Sequence, residues 1–396
     1  MPRPNGGWDF ISDAFYPDWV GGLQRYASEL ATTISGSEGP VTIQTRIWSD
    51  SGRSLLADSL PKIGVRELFP KLPRRIRGSL ITSLSLLNLP LHKLLVGSVR
   101  VAHTSIMGNL FFARRSDALQ VYVFHASPAL ELRTKAVQSD SFNLPVRFRV
   151  WVLRELERRC LSKADSVVVL SEFSKRILLQ EYSWLEESDI TVLPGGSDVA
   201  GIDAKTRRPG TSKRLIALRR LEWRTGVDLL LQAFSDSGIA EQGWELDVIG
   251  SGSLADELQE RSKSLGIDAA VTFHGLVSEE GKSDLLSKAQ LFVLPTRAFE
   301  GFGLATVEAM AHGLVPIVTS AGASPEIVGD IDPELVCEPT VSSLTTALQL
   351  WTSIEYQDKI AEVSTRSSKV AAAYDWSSVG ARYLELVDTL AAKKMG

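Results

Sequence analysis

Residues 295–313 read PTRAFEGFGLATVEAMAHG and decide the fold of the second half of the chain. An apolar strand ends at Pro295, a loop with glycines follows, and a helical pattern begins near Leu304. Gly301 and Gly303 let backbone N–H groups approach an anion closely, and the partial positive charge at the start of the helix favours the same ligand. The stretch therefore predicts a phosphate-binding turn between a strand and a helix.

Two carboxylates accompany this turn. Glu300 lies in the loop and Glu308 about one turn inside the helix. A carboxylate accepts hydrogen bonds from two hydroxyls, which suits the vicinal diols of a sugar ring and of a ribose. Two glutamates alone are also compatible with an ordinary strand–loop–helix turn. The flanking Gly-Phe-Gly, centred on Phe302, and the Glu-Ala-Met-Ala helix favour a site for a nucleotide-sugar.

Short β-branched runs alternate with helical patterns along nearly the whole chain, which predicts parallel sheets built from strand–helix–strand units. The predicted strands are residues 8–15, 41–47, 121–126, 166–171 and 190–193, then 214–220, 246–250, 270–273, 291–295 and 315–319. The main predicted helices are residues 22–35, 147–162, 171–182, 226–237, 254–265, 278–289, 304–312 and 376–394. A polar stretch up to Lys213 reads as a linker. At 396 residues the chain exceeds one ordinary core, so we expect two α/β domains.

Composition excludes several classes of protein. Hydrophobic residues make up 44% and charged residues 23%, which is the balance of a globular protein. Cys160 and Cys337 lie far apart without metal-ligand spacing, so we expect neither a disulfide framework nor a zinc site. The first residues lack an apolar signal core, and the apolar stretch at 80–95 is too interrupted to span a bilayer. We therefore expect a cytoplasmic protein.

Residues 62–77 carry a local basic excess. One acid, Glu67, faces six cations: Lys62, Arg66, Lys71, Arg74, Arg75 and Arg77. A solvated helix and loop face accounts for this, as does peripheral contact with anionic lipid headgroups or a lipid-phosphate acceptor. Aromatic residues are scarce there, so we expect no single-stranded nucleic acid partner.

The stretch around Glu300 and Glu308 resembles the Glu-x7-Glu motif of the retaining GT-B glycosyltransferases of family four. Further segments resemble the same family in the same order: DWVGGLQRY at 18–26, FHA at 124–126, ADSVVVLS at 164–171, VLPGG at 192–196 and YDWS at 374–377. The resemblance implies two Rossmann-like domains facing across a cleft. Residues 1–198 would bind the acceptor and 199–375 the nucleotide-sugar donor, while the helix 376–396 crosses back to the N-terminal domain.

A cationic segment follows the strand at 214–220 and resembles the family's Arg-Leu…Lys-Gly segment, whose two cations grip the donor diphosphate. Arg220 matches the arginine. Thr225 stands at the lysine position, and Arg224 precedes it by one residue. Because an arginine contacts phosphate oxygens in bidentate fashion, Arg224 is the candidate replacement.

The remaining candidates rest largely on the resemblance. His125 ends an apolar strand, where a satisfied core histidine is the alternative to a donor-sugar contact; His103 is a weaker candidate. Gly21 and Gly22 open a helix and would face a phosphate or the acceptor, with a plain helix cap as the alternative. The backbone of Gly275 and Val277 would contact the base. The predicted catalytic set is His125, Arg220, Arg224 and Glu300; the predicted donor-binding set is Gly21, Gly22, Gly275, Val277, Gly301, Phe302, Gly303, Leu304 and Glu308.

The resemblance implies sugar transfer from a UDP- or GDP-sugar to a glycan, lipid-linked or small-molecule acceptor, with retention and without metal or cofactor, as in bacterial polysaccharide or glycoconjugate synthesis. Acceptor choice would lie in N-terminal loops, residues 52–98, 114–120 and 129–143. The sequence GSGSLA at 250–255 mimics a dinucleotide fingerprint, and Asp330 with Asp332 mimics a metal-binding pair. A same-fold 2-epimerase or phosphorylase lacks its signatures here. A nucleotide-sugar-binding protein without catalysis stays open because of Thr225.

Overall fold

The computed structural model describes residues 7–14, 22–38, 40–45, 63–68, 74–87, 91–95, 97–138, 141–197 and 213–395. The chain divides into two compact units. One comprises Met1–Pro194 together with Trp376–Gly396, and the other comprises Gly195–Asp375. The division falls after Pro194, whereas the sequence was expected to divide after residue 198. The predicted linker, the polar stretch from 199 to Lys213, lies outside the described residues except for Lys213.

The first unit contains a parallel sheet. Its described strands are β1 (Trp8–Ser12), β2 (Val41–Thr45), β3 (Ile63–Glu67), β4 (Val99–Ala102), β5 (Leu119–Phe124), β6 (Ser166–Val169) and β7 (Ile190–Val192). They lie in the order β3-β2-β1-β4-β5-β6-β7. Trp8 is paired with Val41 on one side and with Val99 on the other, so β1 lies inside the sheet. The strands are buried, as expected for a parallel sheet that helices cover.

The helices of this unit follow the strand–helix–strand pattern. Their described bounds are Gly22–Glu38, Arg74–Leu86, Ser105–Phe111, Pro128–Gln138, Leu144–Leu161, Glu172–Glu181 and the C-terminal Trp376–Met395. That last helix packs on Gly22–Glu38: the hydroxyls of Tyr26 and Tyr383 are 2.7 Å apart. A Cβ at Gly380 would lie 2.5 Å from the Thr33 methyl carbon, so the glycine permits the close approach of the two helices.

The second unit contains a parallel sheet with described strands β8 (Arg214–Leu218), β9 (Glu245–Ile249), β10 (Val271–Gly275), β11 (Leu291–Leu294), β12 (Val315–Thr319) and β13 (Val336–Cys337). Their order is β10-β9-β8-β11-β12-β13. The helices are Val227–Ser237, Ala255–Ser264, Glu279–Lys288, Leu304–Ala311, Ser324–Val328, Val341–Thr352 and Gln357–Ala371. The chain order reverses between β8 and β11, and open sheets of this kind bind ligands beyond the carboxyl ends of strands at such a point.

The predicted fold class is confirmed: both units are Rossmann-like, with parallel sheets covered by helices. The two acceptor segments at 52–98 and 129–143 were wrongly expected to be loops, because they contain β3, the helix Arg74–Leu86 and the helix Pro128–Gln138. The short edge strand β3 carries Gly64 and Arg66, which weaken an apolar pattern. The helix at 128 begins with proline, which is favourable at the first helical position but reads as a breaker in sequence.

Candidate functional site

The candidate site lies where β8 and β11 end side by side in the second unit. Arg219 and Arg220 directly follow β8, and the segment from Thr296 to Glu300 follows β11. Because parallel neighbours end at the same edge of a sheet, these two segments are brought together although they are about 80 residues apart in sequence. The predicted residues Arg220, Arg224, Glu300 and Gly301–Leu304 all lie in the stretches of chain that follow these two strand ends.

Glu300 is held by an arginine that the sequence reasoning missed. Nη1 of Arg219 donates to Oε2 of Glu300 at 2.5 Å, and Nη2 donates to the hydroxyl of Thr296 at 3.1 Å. The side chains of Arg219 and Glu300 are 7% and 17% exposed. Burial would raise the pKa of Glu300, but the charge and hydrogen bond of Arg219, with smaller contributions from Arg224 and Arg220, bring it below its ordinary value. Glu300 is therefore an ionised acceptor at neutral pH.

The loop that presents Glu300 is strained and braced from two sides. Phe299 has a φ of 56°, in the left-handed region that a bulky residue rarely adopts. Its carbonyl accepts from Nη1 of Arg224 at 3.2 Å. On the other side, the backbone of Glu300 forms a β-bridge with Gly322, where a Cβ would lie only 2.6 Å from Cβ of Glu300. Arg224 therefore shapes this loop, whether or not it also meets a ligand.

Arg220 differs from its neighbours because its side chain is exposed. Within the described part of the chain its guanidinium forms no hydrogen bond or ion pair. Thr225, at the position where the family resemblance implies a lysine, is buried. Its hydroxyl bonds to the carbonyls of Arg220 at 2.7 Å and Glu222 at 2.6 Å. Thr225 thus fixes the turn that carries Arg220 and supplies no cation.

Gly303 is the N-cap of the helix Leu304–Ala311. It has a φ of 96° and gives the helix no side-chain cap. The first N–H groups of a helix have no acceptor within it and can bind an anion. Here the N–H of Thr306 already donates to the carbonyl of Gly303 at 2.8 Å, which leaves the N–H groups before it for a ligand. Around Gly303, the hydroxyls of Thr306 and Ser324 are buried and have no partner among the described residues. Phe302 is buried and packs near Tyr374, with ring centroids 5.6 Å apart. The buried ring of Phe302 therefore anchors the chain just before the helix.

Glu308 is buried on the same helix, and Oε2 lies 3.2 Å from Nζ of Lys282. Lys282 also pairs with Glu279 at 2.6 Å. Lys282 could not be predicted as the partner of Glu308, because it lies 26 residues earlier in the chain and on another helix. The ribose contact assigned to Glu308 stays a prediction.

The GSGSLA segment, which mimics a dinucleotide fingerprint, packs against the backbone of residues 219–221. A Cβ at Gly250 would lie 1.8 Å from the carbonyl oxygen of Arg219, and one at Gly252 would lie 2.2 Å from that of Leu221. The N–H of Gly250 donates to the carbonyl of Gly275 at 2.8 Å. The glycines are thus required for close backbone packing behind Arg219 and Arg220. Val277 is half-buried beyond Gly275, and the base contact of these two residues stays a prediction.

Of the acidic pair at 330 and 332, Asp332 has a structural role. Asp332 accepts the backbone N–H of Glu334 at 2.9 Å and pairs with Nζ of Lys359 at 2.9 Å. No cluster of three or more His, Cys, Asp or Glu side chains that could hold a metal ion occurs among the described residues.

The two histidines of the first unit form a pair that the sequence did not predict. Nδ1 of His103 lies 3.1 Å from Nε2 of His125, because β4 and β5 are neighbours. The ring of Tyr26 contacts His125 edge-on at 5.0 Å and Trp376 at 5.4 Å. Burial lowers the pKa of His125 to about 3, and burial together with His125 lowers the pKa of His103 well below its ordinary value. Both rings are therefore neutral near pH 7.

Other predicted residues of the first unit are only partly described. Gly22 is the first residue of its helix, whereas Gly21 lies outside the described residues. Of the basic segment, Lys62 and Lys71 are likewise outside, and the guanidinium of Arg66 donates to the carbonyl of Leu94 at 2.9 Å. The catalytic role of His125 and the donor contacts of Gly21 and Gly22 stay predictions. Among the described helices, none is long and apolar enough to cross a bilayer.

Two family models match the chain in succession. The model for Glycosyltransferase Family 4 matches residues 20–200, and the model for Glycosyl transferases group 1 matches residues 198–367. The site described above lies inside the second match. The chain therefore belongs to the group 1 glycosyltransferases.

Individual relatives are distant. Mannosylfructose-phosphate synthase of Agrobacterium fabrum is 31% identical over 235 residues, which are 53% of this chain and 50% of that protein. GDP-mannose:cellobiosyl-diphosphopolyprenol alpha-mannosyltransferase of Komagataeibacter xylinus is 27% identical over 205 residues, 50% of each chain. The matches thus span about half the length of these relatives. Among solved structures, Anabaena HepE in complex with UDP and glucose superposes with a TM-score of 0.71 at 16% identity, covering 97% of this chain and 100% of that one.

Proposed function

We propose that this protein is a retaining, metal-independent glycosyltransferase that transfers a sugar from a UDP- or GDP-sugar to a glycan, lipid-linked or small-molecule acceptor. Membership of the family supports the reaction class, and the names of two similar proteins, one bound to UDP and one using GDP-mannose, support this range of donors. The observation that carries the proposal is Arg220. It is an exposed cation without a partner among the described residues, next to a carboxylate that a second arginine keeps ionised.

The donor diphosphate needs positive charge as it departs. Arg220 and the N–H groups at 302–304 would supply it, since charge-assisted hydrogen bonds and a helix start both stabilise a phosphate. Arg224 is already bonded to the carbonyl of Phe299, so we assign it mainly to shaping the loop and secondarily to the phosphate. Arg224 would therefore replace only in part the family's lysine, which binds the donor diphosphate.

The transferred sugar would be held by Glu300. The ionised carboxylate accepts hydrogen bonds from sugar hydroxyls, and Arg219 keeps it both charged and oriented. Arg219 is accordingly a positioning residue. Glu308 would hold the ribose, and the backbone at Gly275 and Val277 would contact the base.

Retention is proposed by analogy with the family. The bond from the anomeric carbon to the diphosphate oxygen breaks, and the acceptor oxygen bonds to the same carbon on the same face. The acceptor's proton passes to the leaving phosphate oxygen, so no separate base is required. Arg220 and the helix start stabilise the diphosphate on which negative charge develops.

A turnover assay tests the proposal. Wild type is incubated with radiolabelled UDP-glucose or GDP-mannose and simple glycan or lipid acceptors, and nucleotide release and labelled product are measured. We expect Arg220→Ala to reduce kcat/KM by roughly 10- to 100-fold, because a hydrogen bond to a charged group contributes about 1.5–3 kcal/mol. Arg366→Ala, which removes an exposed arginine elsewhere in the same unit, is the matched control.

Two outcomes distinguish the alternatives. Nucleotide binding without turnover of any donor would favour the binding protein that lacks catalysis, a reading supported by the buried Thr225. Product whose anomeric configuration is inverted, read from its proton coupling by NMR, would contradict retention while leaving sugar transfer intact.

A further inference from the structure

An exposed apolar face lies on the helix Leu144–Leu161. Leu144, Phe148 and Trp151 are 76%, 63% and 60% exposed. Their spacing of four and three residues places them on one side of the helix, and the rings of Phe148 and Trp151 are stacked with centroids 5.9 Å apart. We call these three residues the Trp151 face. Three large apolar side chains grouped on one surface mark an interaction site, whereas a single exposed one is ordinary.

Two further exposed apolar residues precede this helix in the chain, and the second half of the helix is buried. Val137 at the end of Pro128–Gln138 is 61% exposed, and Phe142 in the connection is 39% exposed. The second half of the helix Leu144–Leu161 is anchored, since Leu156 is buried and Cys160 and Leu161 belong to a core cluster of this unit. The buried second half therefore holds the helix in place, while the apolar side chains of the first half are exposed to solvent.

The charged residues on the first half of the helix Leu144–Leu161 all have one sign. Residues 141–154 contain Arg147, Arg149 and Arg154 and no Asp or Glu. Arg147 and Arg149 are exposed, and within the described residues neither guanidinium pairs with a carboxylate. Arg154 is tied to the carbonyl of Glu181 at 2.7 Å. Further along the helix, Glu155 is neutralised by Arg158 and Arg159.

We propose that the Trp151 face docks this protein on the surface of an anionic phospholipid membrane. Tryptophan and phenylalanine partition into the boundary between headgroups and acyl chains, and flanking arginines bind lipid phosphates. The apolar side chains would insert into the membrane, and Arg147 and Arg149 would favour negatively charged lipids. The residues of this face are different from those of the basic segment at 62–77, and the docking does not depend on the donor site.

Docking would also have a consequence for the acceptor. The helix Pro128–Gln138 begins three residues after His125, so the unit that carries the histidine pair would be held at the lipid surface. A lipid-linked acceptor would then be delivered to that unit. This consequence, unlike the docking itself, rests on the proposed function.

Vesicle flotation of the full chain tests the docking. The vesicles are phosphatidylcholine alone and an equimolar mixture with phosphatidylglycerol, each in low and high salt. We expect wild type to float with the anionic vesicles in low salt and much less in high salt or with phosphatidylcholine. Phe148→Ser with Trp151→Ser, and separately Arg147→Glu with Arg149→Glu, should each reduce binding at least about tenfold. Ile354→Ser removes an apolar residue that is 90% exposed in the other unit and should bind as wild type.

The thermal shift produced by UDP or GDP is measured on every variant. An unchanged shift shows that the fold and the donor site are intact, so that loss of docking is distinguishable from failure of the proposed function. The proposal is overturned if wild type does not float, or if the double serine variant floats like wild type. It is also overturned if wild type forms a dimer without lipid that the double serine variant abolishes in sedimentation velocity, because the face would then bind a second copy.

Discussion

Two buried polar pairs, one in each unit, are kept in opposite charge states. In the second unit, Arg219 and Glu300 stay charged because each compensates the other inside a shell of backbone and hydroxyl partners. In the first, His103 and His125 stay neutral because burial disfavours their protonated forms and no carboxylate is recorded beside them among the described residues. A charged pair can bind charged groups as well as sugar hydroxyls, whereas a neutral imidazole carries no charge to offer a ligand. We therefore expect the second unit, rather than the histidine pair of the first, to bind the charged groups of a ligand.

Removal of Arg219 should have the largest effect, because it would leave the carboxylate of Glu300 buried without a counter-charge. Breaking one half of a buried ion pair costs about 3–5 kcal/mol. We expect Arg219→Ala to lower the stability of the second unit by this order in scanning calorimetry, and to raise the pKa of Glu300.

The double variant Arg219→Met with Glu300→Leu should recover most of that stability, because it removes both charges and keeps the volume. The exposed pair of Lys263 and Glu260 provides the matched control, and Lys263→Met should leave the transition in place. Equal destabilisation by Arg219→Ala and Lys263→Met would show that the pair at Glu300 is an ordinary surface contact.

Gly303→Ala sharpens the comparison at the helix start. The backbone there has a φ of 96°, and the new Cβ would meet the Ser324 hydroxyl at 2.6 Å. We expect a cost above the ~1–2 kcal/mol of a left-handed residue, together with weaker nucleotide binding. Gly266→Ala is the control, since Gly266 has a φ of 69° with open space around it. If both variants lose the same stability and bind nucleotide alike, the helix start does not hold the phosphate.

Thr225→Val tests whether this residue replaces the family's lysine or only fixes the turn. The substitution removes the hydroxyl from two backbone carbonyls at constant volume. We expect a loss of about 1–3 kcal/mol, the cost of leaving a buried polar group unsatisfied, and a smaller loss of donor affinity, measured by thermal shift and nucleotide titration. Thr225→Ser keeps the hydroxyl and should behave almost as wild type. A fall in affinity without a fall in stability would assign Thr225 to the ligand.

The smallest expected effect is at the histidines, where we predict an absence of titration. Their folded pKa values lie below the ordinary 6.5, so the unfolded chain takes up protons first as pH falls. The histidines' contribution to stability is present above that value and declines as pH falls below it. Imidazole proton shifts of His125, assigned with a His125→Asn variant, should stay constant from about pH 8 to about pH 5. An inflection near pH 6.5 would contradict the neutral pair.

The loop and helix at 295–313 could be predicted because every feature was local: strand end, glycines and helix start are contiguous. The position of Arg220 just after β8 could be predicted for the same reason. Arg219 could not, because its partner lies 81 residues further on and the contact depends on β8 and β11 being neighbours. The histidine pair depends likewise on β4 lying beside β5. Sequence patterns indicate which residues sit at strand ends, whereas the order of strands decides which ends meet.

Isothermal titration calorimetry of UDP and GDP into wild type and Arg220→Ala tests the central claim most directly. Our account predicts that at least one nucleotide binds wild type at a single site, and that Arg220→Ala weakens binding by roughly 10- to 100-fold. Equal affinity of the two proteins, or no binding of either nucleotide to wild type, would contradict the assignment of the donor site to the carboxyl ends of β8 and β11.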